Sequence, residues 1–153
     1  MIEIHPRPVD APDTVAVIRS YMVELVDRYY GRSMPESLVD QALADEPPDD
    51  VAVLLVAYRE GVPVGCVGLR LAEPPIGEIT KMYVRPEARR TGVARRLLAA
   101  IDDAARERGL RVLRLDTRTD LTEARALYAA CGFREVAGHE KRRFADHFFV
   151  KEL

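Results

Sequence analysis

The sequence predicts an α/β fold in which about four helices flank one mixed, mostly antiparallel sheet of seven strands. Two patterns carry this prediction. Apolar residues recur every three to four positions in four segments, as on one face of a helix, while short apolar or alternating segments bounded by Gly and Pro indicate strands. The resulting order is β-α-α-β-β-β-α-β-α-β-β. Because it combines hairpins with helical crossovers, it favours a mixed sheet.

The first third of the chain is predicted to be one strand and two helices. Residues 2–5 form the strand. Pro12 suits the first turn of a helix, and apolar residues then follow at helical spacing until Gly31 ends the segment. A shorter helix over residues 35–45 ends at the prolines that begin with Pro47.

The middle of the chain is predicted to be three consecutive strands. Residues 51–58 are almost continuously apolar, which is typical of a strand buried on both faces. A turn containing Gly61 leads into residues 62–71, the hairpin partner. The pair of prolines at Pro74 ends that strand, and residues 77–84 form the next one.

The last third alternates helices and strands. A helix over residues 93–108 has a clear apolar stripe, and the strand at residues 111–117 alternates apolar and charged side chains. A second helix covers residues 121–131. Two closing strands are predicted at residues 133–136 and 144–153.

Composition limits the classes of protein to which the chain could belong. Its 153 residues suit a single domain over 1–153. No apolar run approaches the roughly 20 residues that span a membrane. The first residues resemble no signal peptide, so no membrane partner and a cytoplasmic location are expected. A net charge of −2 argues against a nucleic-acid partner.

The spacing of the cysteines and histidines gives no sign of a metal site. Cys66 and Cys131 are too far apart in sequence for a metal-binding motif, and they do not form a disulfide framework. His5, His139 and His147 are dispersed along the chain. No metal is therefore expected.

An anion site is predicted at residues 82–98. There an apolar strand runs into an arginine-rich loop, which turns on Gly92 and opens directly into a helix. Such a junction aims unpaired backbone N–H groups and the positive end of a helix dipole at one point. The alternative is a solvated arginine-rich loop before an ordinary amphipathic helix.

The loop lacks the patterns of two common phosphate sites. No Lys-Ser or Lys-Thr follows Gly92, as a P-loop requires, and a dinucleotide fold would need three glycines. The pattern Arg89-x-x-Gly92-x-Ala94 instead resembles the (Arg/Gln)-x-x-Gly-x-(Gly/Ala) signature of the GNAT superfamily of N-acetyltransferases. The predicted order of elements is similar to that superfamily along nearly the whole chain.

The resemblance implies acetyl-CoA as co-substrate. Backbone N–H groups of the loop would face its pyrophosphate, with charge added by Arg89 and Arg90. The preceding strand would splay from its neighbour and pair with the pantetheine arm, and the N–H of Met82 or Val84 would hold the thioester carbonyl. The implied cofactor-binding residues are Met82, Tyr83, Val84, Arg89, Arg90, Thr91, Gly92, Val93, Ala94 and Arg95.

Two residues are candidates for catalysis. Glu78 stands six residues before Val84, where some GNAT enzymes carry a general base, although it could be an ordinary exposed carboxylate. Tyr128 lies in a segment that resembles Asn-x-x-Ala-x-x-Leu-Tyr-x-x-x-Gly-Phe of the superfamily. It would protonate the departing thiolate, or else be a core tyrosine. The chain has Leu121 where that pattern has Asn.

The acceptor site is implied between the first helix pair and the loop that joins the last two strands. Tyr29, Tyr30, Arg142 and Arg143 are the candidate substrate-binding residues. The cations near Arg142 would suit an acceptor with a carboxylate or phosphate. Otherwise they form a solvated turn or meet the 3′-phosphate of CoA.

The leading prediction is acetylation of a primary amine on a small, possibly amino-acid-like molecule, by direct attack in a ternary complex. A protein N-terminus or lysine as acceptor, or a non-catalytic acyl-CoA sensor, are the alternatives. A homodimer formed through the C-terminal strands is also possible.

Overall fold

The computed structural model describes residues 1–138 and 145–153 and confirms the predicted order of elements. The strands are β1 (Ile2–Pro6), β2 (Val51–Arg59), β3 (Val62–Leu71), β4 (Ile76–Val84), β5 (Val112–Thr117), β6 (Arg134–Val136) and β7 (His147–Glu152). The helices are α1 (Pro12–Tyr30), α2 (Glu36–Asp45), α3 (Val93–Glu107) and α4 (Thr122–Ala130). The beginning of the predicted last strand, residue 144, lies outside the described residues.

All seven strands form one mixed sheet in the order β1-β2-β3-β4-β5-β7-β6. Strands β1 to β4 pair antiparallel, and so do β5 with β7 and β7 with β6. Among the strands of the described residues, only β4 and β5 run parallel, and the crossover helix α3 connects them. The predicted mixed, mostly antiparallel sheet is therefore confirmed.

Helices cover both faces of the sheet. The larger core cluster joins α3 and α4 to one face, and Leu97 and Ile101 of α3 are fully buried there. The other face carries α1, whose Val17 packs with Leu54 and Cys66. The apolar stripe predicted for α3 is thus its buried face.

One buried charge on α3 was not predicted. Asp102 accepts a hydrogen bond from the Lys151 ammonium of β7 at 2.5 Å, and the same ammonium lies 5.7 Å from the centre of the Phe133 ring. A buried charge is normally paired, because removing it from water is costly. The pair connects α3 to β7.

A β-bulge in β4 changes which of its side chains share a face. Strict alternation would place Val84 and Ile79 on opposite faces of the strand. Both lie in the α3-side cluster, however, whereas Tyr83 lies in the α1-side cluster. The register shifts between Cys66 and Gly68 of β3, and Lys81 adopts a left-handed φ of 54°. The alternation expected of a regular strand therefore fails along β4, because the extra residue reverses the faces beyond it.

Candidate active site

Strands β4 and β5 separate halfway along their length. Their pairing joins Ile76–Glu78 to Val112–Arg114 and ends there. Beyond Glu78, β4 keeps pairing with β3, and β5 keeps pairing with β7 as far as Thr117. Residues 79–84, which we call the upper part of β4, therefore present a backbone edge that β5 does not cover. An extended ligand can hydrogen-bond to such an edge as an added strand would.

The loop above this opening makes two left-handed turns before α3. Arg90 has a φ of 64°, and Gly92, the N-cap of α3, has a φ of 84°. Glycine adopts this conformation without steric cost. A Cβ atom added to Gly92 would have no atom within 4 Å. The loop therefore leaves open space in front of its backbone.

Six consecutive backbone N–H groups lie in this loop and in the first turn of α3. Within the described residues, no backbone–backbone hydrogen bond uses an N–H group from Arg90 to Arg95, whereas the next one, Arg96, donates to Gly92. Unpaired N–H groups at a helix start attract anions, and the helix dipole adds to that attraction. The geometry is that of a phosphate-binding site.

Arg89 is bound inside the protein. Its Nε donates to the Val84 carbonyl at 2.8 Å, its Nη2 donates to both carboxylate oxygens of Glu24 at 2.6 and 2.7 Å, and its guanidinium lies 5.8 Å from the centre of the Tyr83 ring. The structure thus uses Arg89 to attach the loop to α1. Sequence reasoning missed Glu24 as its partner, because the two lie far apart in sequence.

Four other arginines lie in or next to the loop; three of them are exposed, and Arg59 is partly buried. In the part of the chain that the structure describes, none of them forms an ion pair, and Arg59 of β2 donates to the Thr91 hydroxyl at 3.3 Å. The four are Arg59, Arg90, Arg95 and Arg96. Their charge makes the rim of the anion site strongly positive.

The Glu24 contact gives a first prediction. Changing Glu24 to Gln should lower the free energy of unfolding by about 1 kcal/mol, because this ion pair is bidentate but partly exposed. That loss corresponds to a Tm lower by about 2–4 °C for a chain of this size. It should also weaken anion binding at the loop. Asp40→Asn, which breaks an exposed ion pair between Arg19 and Asp40, is the control. Equal anion affinity in both variants would contradict the anchoring role.

Tyr128 of α4 lies buried in the core, with its ring held between Phe133 and Phe149. The ring centres are 5.8 and 5.9 Å away. Burial, and to a smaller extent the charge of Asp116, raise the pKa of the Tyr128 hydroxyl. No hydrogen bond to this hydroxyl is present within the described residues. The group is therefore protonated and available as a donor.

At the start of α4, the chain differs from the pattern Asn-x-x-Ala-x-x-Leu-Tyr, because a leucine stands at the position of the asparagine. Leu121 occupies the N-cap of α4, and no side chain caps that helix there. The leucine side chain can neither donate nor accept a hydrogen bond, so a side-chain contact of the kind an asparagine makes is lost at this position.

Tyr21 of α1 was missed by sequence reasoning. Its ring meets the Tyr83 ring edge-on at 6.0 Å between centres. Burial raises the pKa of the Tyr21 hydroxyl most, and the nearby Glu46, Tyr128 and Cys66 raise it further. Tyr21 thus packs on the α1 side of the sheet, against the strand that precedes the anion-binding loop. The sequence offered one sign of this residue, which is a tyrosine next to the apolar residues that form the buried face of α1.

Glu78 lies at the last position where β4 and β5 still pair. Its carboxylate accepts a hydrogen bond from Arg114 Nε at 3.1 Å, and 14% of the side chain is exposed. The side chain is thus placed at the closed end of the opening. Its role as a base stays a prediction.

The structure describes two of the four candidate substrate-binding residues. Tyr29 and Tyr30 at the end of α1 are about half exposed, with their rings edge-on at 5.0 Å. The guanidinium of Arg118 lies 5.5 Å from the Tyr29 ring centre and donates to the Leu25 carbonyl. Arg142 and Arg143 lie outside the described residues.

The two cysteines are free thiols. Cys66 is buried and donates to the Lys81 carbonyl at 3.2 Å. Burial raises the pKa of the Cys66 thiol to about 12, which makes it a poor nucleophile at neutral pH. Neither a cluster of three potential metal-ligating side chains nor a helix capable of crossing a membrane occurs over residues 1–138 and 145–153.

Comparison with known proteins agrees with this geometry. Residues 16–133 match the model of the acetyltransferase (GNAT) family. The chain is 37% identical over 128 residues to an IAA acetyltransferase of Azospirillum brasilense, covering 81% of this chain and 80% of that relative. It is 35% identical over 110 residues to an aminoglycoside N(6')-acetyltransferase type 1 of Stenotrophomonas maltophilia, covering 67% and 70% of the two chains.

A solved structure shows the same fold. The PaiA N-acetyltransferase of Thermoplasma acidophilum, crystallised in complex with coenzyme A, superposes with a TM-score of 0.74. The match covers 100% of this chain and 99% of that one, at 17% identity.

Proposed function

Because the chain belongs to the GNAT family of acetyltransferases and is therefore an acyltransferase, we propose that it transfers the acetyl group of acetyl-CoA to a primary amine on a small molecule. The observation that carries the proposal is the run of unpaired N–H groups from Arg90 to Arg95, at the end of a strand whose upper edge β5 leaves uncovered. An anion site beside an open strand edge suits a pyrophosphate joined to an extended amide-containing arm.

The cofactor would lie along the opening between β4 and β5. Backbone N–H groups of Gly92, Val93 and Ala94 would bind the pyrophosphate, and the exposed arginines around the loop would neutralise further phosphate charge. The pantetheine arm would pair with the upper part of β4. The N–H of Met82 or Val84 would then donate to the thioester carbonyl, where negative charge develops during the reaction.

Tyr128 would act as the general acid. The neutral amine attacks the thioester carbonyl carbon, a C–N bond forms, and the C–S bond breaks as the electron pair leaves on sulfur. Tyr128 donates its phenolic proton to that sulfur, which suits a hydroxyl kept protonated by burial. The hydroxyl recovers a proton from solvent or from the amine.

Glu78 would act as the general base, through a water molecule. An ammonium must lose a proton before attack, because its ordinary pKa near 10.4 leaves it mostly protonated at pH 7. Changing Glu78 to Gln should lower kcat by about 100-fold. It should also remove the fall in activity at low pH that protonation of this carboxylate causes.

The measurement is the dependence of kcat and kcat/KM on pH for Glu78→Gln. Glu73→Gln, which neutralises a carboxylate in the loop between β3 and β4, is the control and should behave as wild type. If kcat and its pH profile are the same in Glu78→Gln and wild type, Glu78 is not the base.

The names of the two relatives support an acceptor that is a small molecule. Release of free thiol from acetyl-CoA in the presence of a panel of small amines tests this directly. Turnover of a small amine supports the proposal. Turnover only with peptides that carry a free N-terminus or lysine would contradict it.

A further inference from the structure

Lys81 carries a buried ammonium that the proposed reaction does not use, and burial lowers the pKa of this group. The bulge in β4 gives this residue a left-handed φ of 54° and leaves 6% of it exposed. Lysine is almost never buried without a partner. Within the described residues, however, its ammonium forms neither a hydrogen bond nor an ion pair. The strand therefore holds an unpaired cation three residues before Val84.

Tyr21 ends in the same region. Its ring meets the ring of Tyr83, which lies two residues after Lys81, at 6.0 Å between centres. Met82, between Lys81 and Tyr83, packs in the α3-side cluster, so alternation turns Lys81 and Tyr83 towards α1. The Tyr21 hydroxyl likewise has no hydrogen-bond partner among the residues that the structure describes. Two polar groups without a hydrogen-bond partner among these residues, one on α1 and one on β4, thus lie on the α1 side of the sheet, next to Tyr83.

Both groups are hydrogen-bond donors. The ammonium of Lys81 has three N–H groups and no acceptor, and burial keeps the Tyr21 phenol protonated. The nearby carboxylates are not bonded to them, since Asp50 accepts from Arg70 at 3.2 Å and the Glu46 side chain is exposed. What this pair of donors lacks is an acceptor, preferably one with negative charge.

The two donors also remain within reach of a ligand. Fully enclosed polar atoms without a partner occur elsewhere among the described residues, for example on Thr14 and Thr117, but neither Lys81 Nζ nor the Tyr21 hydroxyl is one of them. Both atoms therefore retain contact with solvent-accessible space. An entering group could bind them without opening the core.

We propose that Lys81 and Tyr21 form an oxyanion subsite for the amine acceptor, so that the preferred acceptor carries a carboxylate or a phosphate in addition to its amine. The subsite rests on the proposed function, because it assumes that an amine approaches β4 from the α1 side. The acceptor class is then that of amino acids and related amino-acid-like compounds. The oxyanion of the acceptor would then lie against β4, beside Lys81.

Turnover of matched acceptors tests the subsite. The acceptors are amino acids, their carboxamides with the same side chain and amine, and the corresponding aminoalkyl phosphates. In wild type, the oxyanion acceptor should exceed its uncharged counterpart in kcat/KM by about 10- to 100-fold, as a charged hydrogen bond predicts. In Lys81→Met, kcat/KM for the oxyanion acceptor should fall to that of its uncharged counterpart, whose own kcat/KM should stay the same. A phosphate preference would identify that anion as the natural one.

Two further variants separate charge from shape. Lys81→Arg should retain part of the preference, and Tyr21→Phe, which keeps the ring against Tyr83, should lower it less than Lys81→Met does. A ratio that is unchanged in Lys81→Met, or a wild-type preference for the carboxamides, would overturn the proposal.

A binding measurement keeps the subsite testable without turnover. N-acetylated amino acids, the products of the proposed reaction, should raise the Tm of CoA-saturated wild type more than their carboxamides do, and should fail to do so in Lys81→Met. An equal response in both proteins, or none in wild type, overturns the subsite. If acetyl-CoA itself fails to raise the Tm of wild type, the proposed function has failed instead.

Discussion

Replacing Gly92 with Glu will abolish the stabilisation of this protein by acetyl-CoA. Gly92 has a φ of 84° and faces open space at the start of α3. A glutamate there would place a carboxylate among the N–H groups of Arg90 to Arg95, where it would occupy or repel the pyrophosphate. By binding only the folded state, acetyl-CoA at 100 times its Kd should stabilise wild type by about 2.7 kcal/mol and so raise its Tm. The variant should show no such rise.

Gly109→Glu is the matched control for this variant. Gly109 follows the other end of the same helix, has a φ of 74° and also has no atom within 4 Å of an added Cβ. Both variants should therefore lose about 1–2 kcal/mol from the left-handed backbone alone. Only Gly92→Glu should lose the response to acetyl-CoA. An equal response in both would remove the loop as the cofactor site.

Replacing Tyr128 with Phe will lower kcat by about 100-fold or more, while acetyl-CoA binding is retained. The ring between Phe133 and Phe149 stays in place, so the packing of α4 is preserved and only the hydroxyl is lost. Without an acid, sulfur must leave as an unprotonated thiolate, and general acid catalysis is typically worth about 10²–10⁴-fold. Steady-state thiol release measures kcat.

The dependence on the leaving group separates acid catalysis from a structural effect. An acetyl thioester of a more acidic aryl thiol needs less protonation, so the gap between wild type and Tyr128→Phe should narrow with that donor. Tyr58→Phe is the control, because it removes a hydroxyl that donates to Asp13, an acidic residue at the start of α1. A gap of the same size with both donors would argue that Tyr128 does not protonate sulfur.

The order of elements could be predicted because each segment carries its own periodicity and its own breaker. Gly31 ends α1 in a left-handed conformation, and the proline pairs limit β2 and β3, so these boundaries depend on nearby residues alone. The anion site was predictable for the same reason. Strand, loop and helix follow one another within residues 82–98.

Features that depend on distant residues could not be predicted. The bulge at Lys81 arises from the register between β3 and β4, and one extra residue reverses the faces of every side chain after it. The partner of Arg89 is Glu24, on a helix that packs against the sheet only in the fold. Tyr21 joins the site for the same reason, because α1 covers the strand that precedes the loop.

A crystal structure with acetyl-CoA tests the central claim most directly. The account predicts a pyrophosphate that accepts hydrogen bonds from N–H groups between Arg90 and Arg95, a pantetheine arm along β4 beyond Glu78, and a sulfur within hydrogen-bond distance of the Tyr128 hydroxyl. A cofactor whose pyrophosphate lies away from this loop, or whose sulfur lies far from Tyr128, would contradict it.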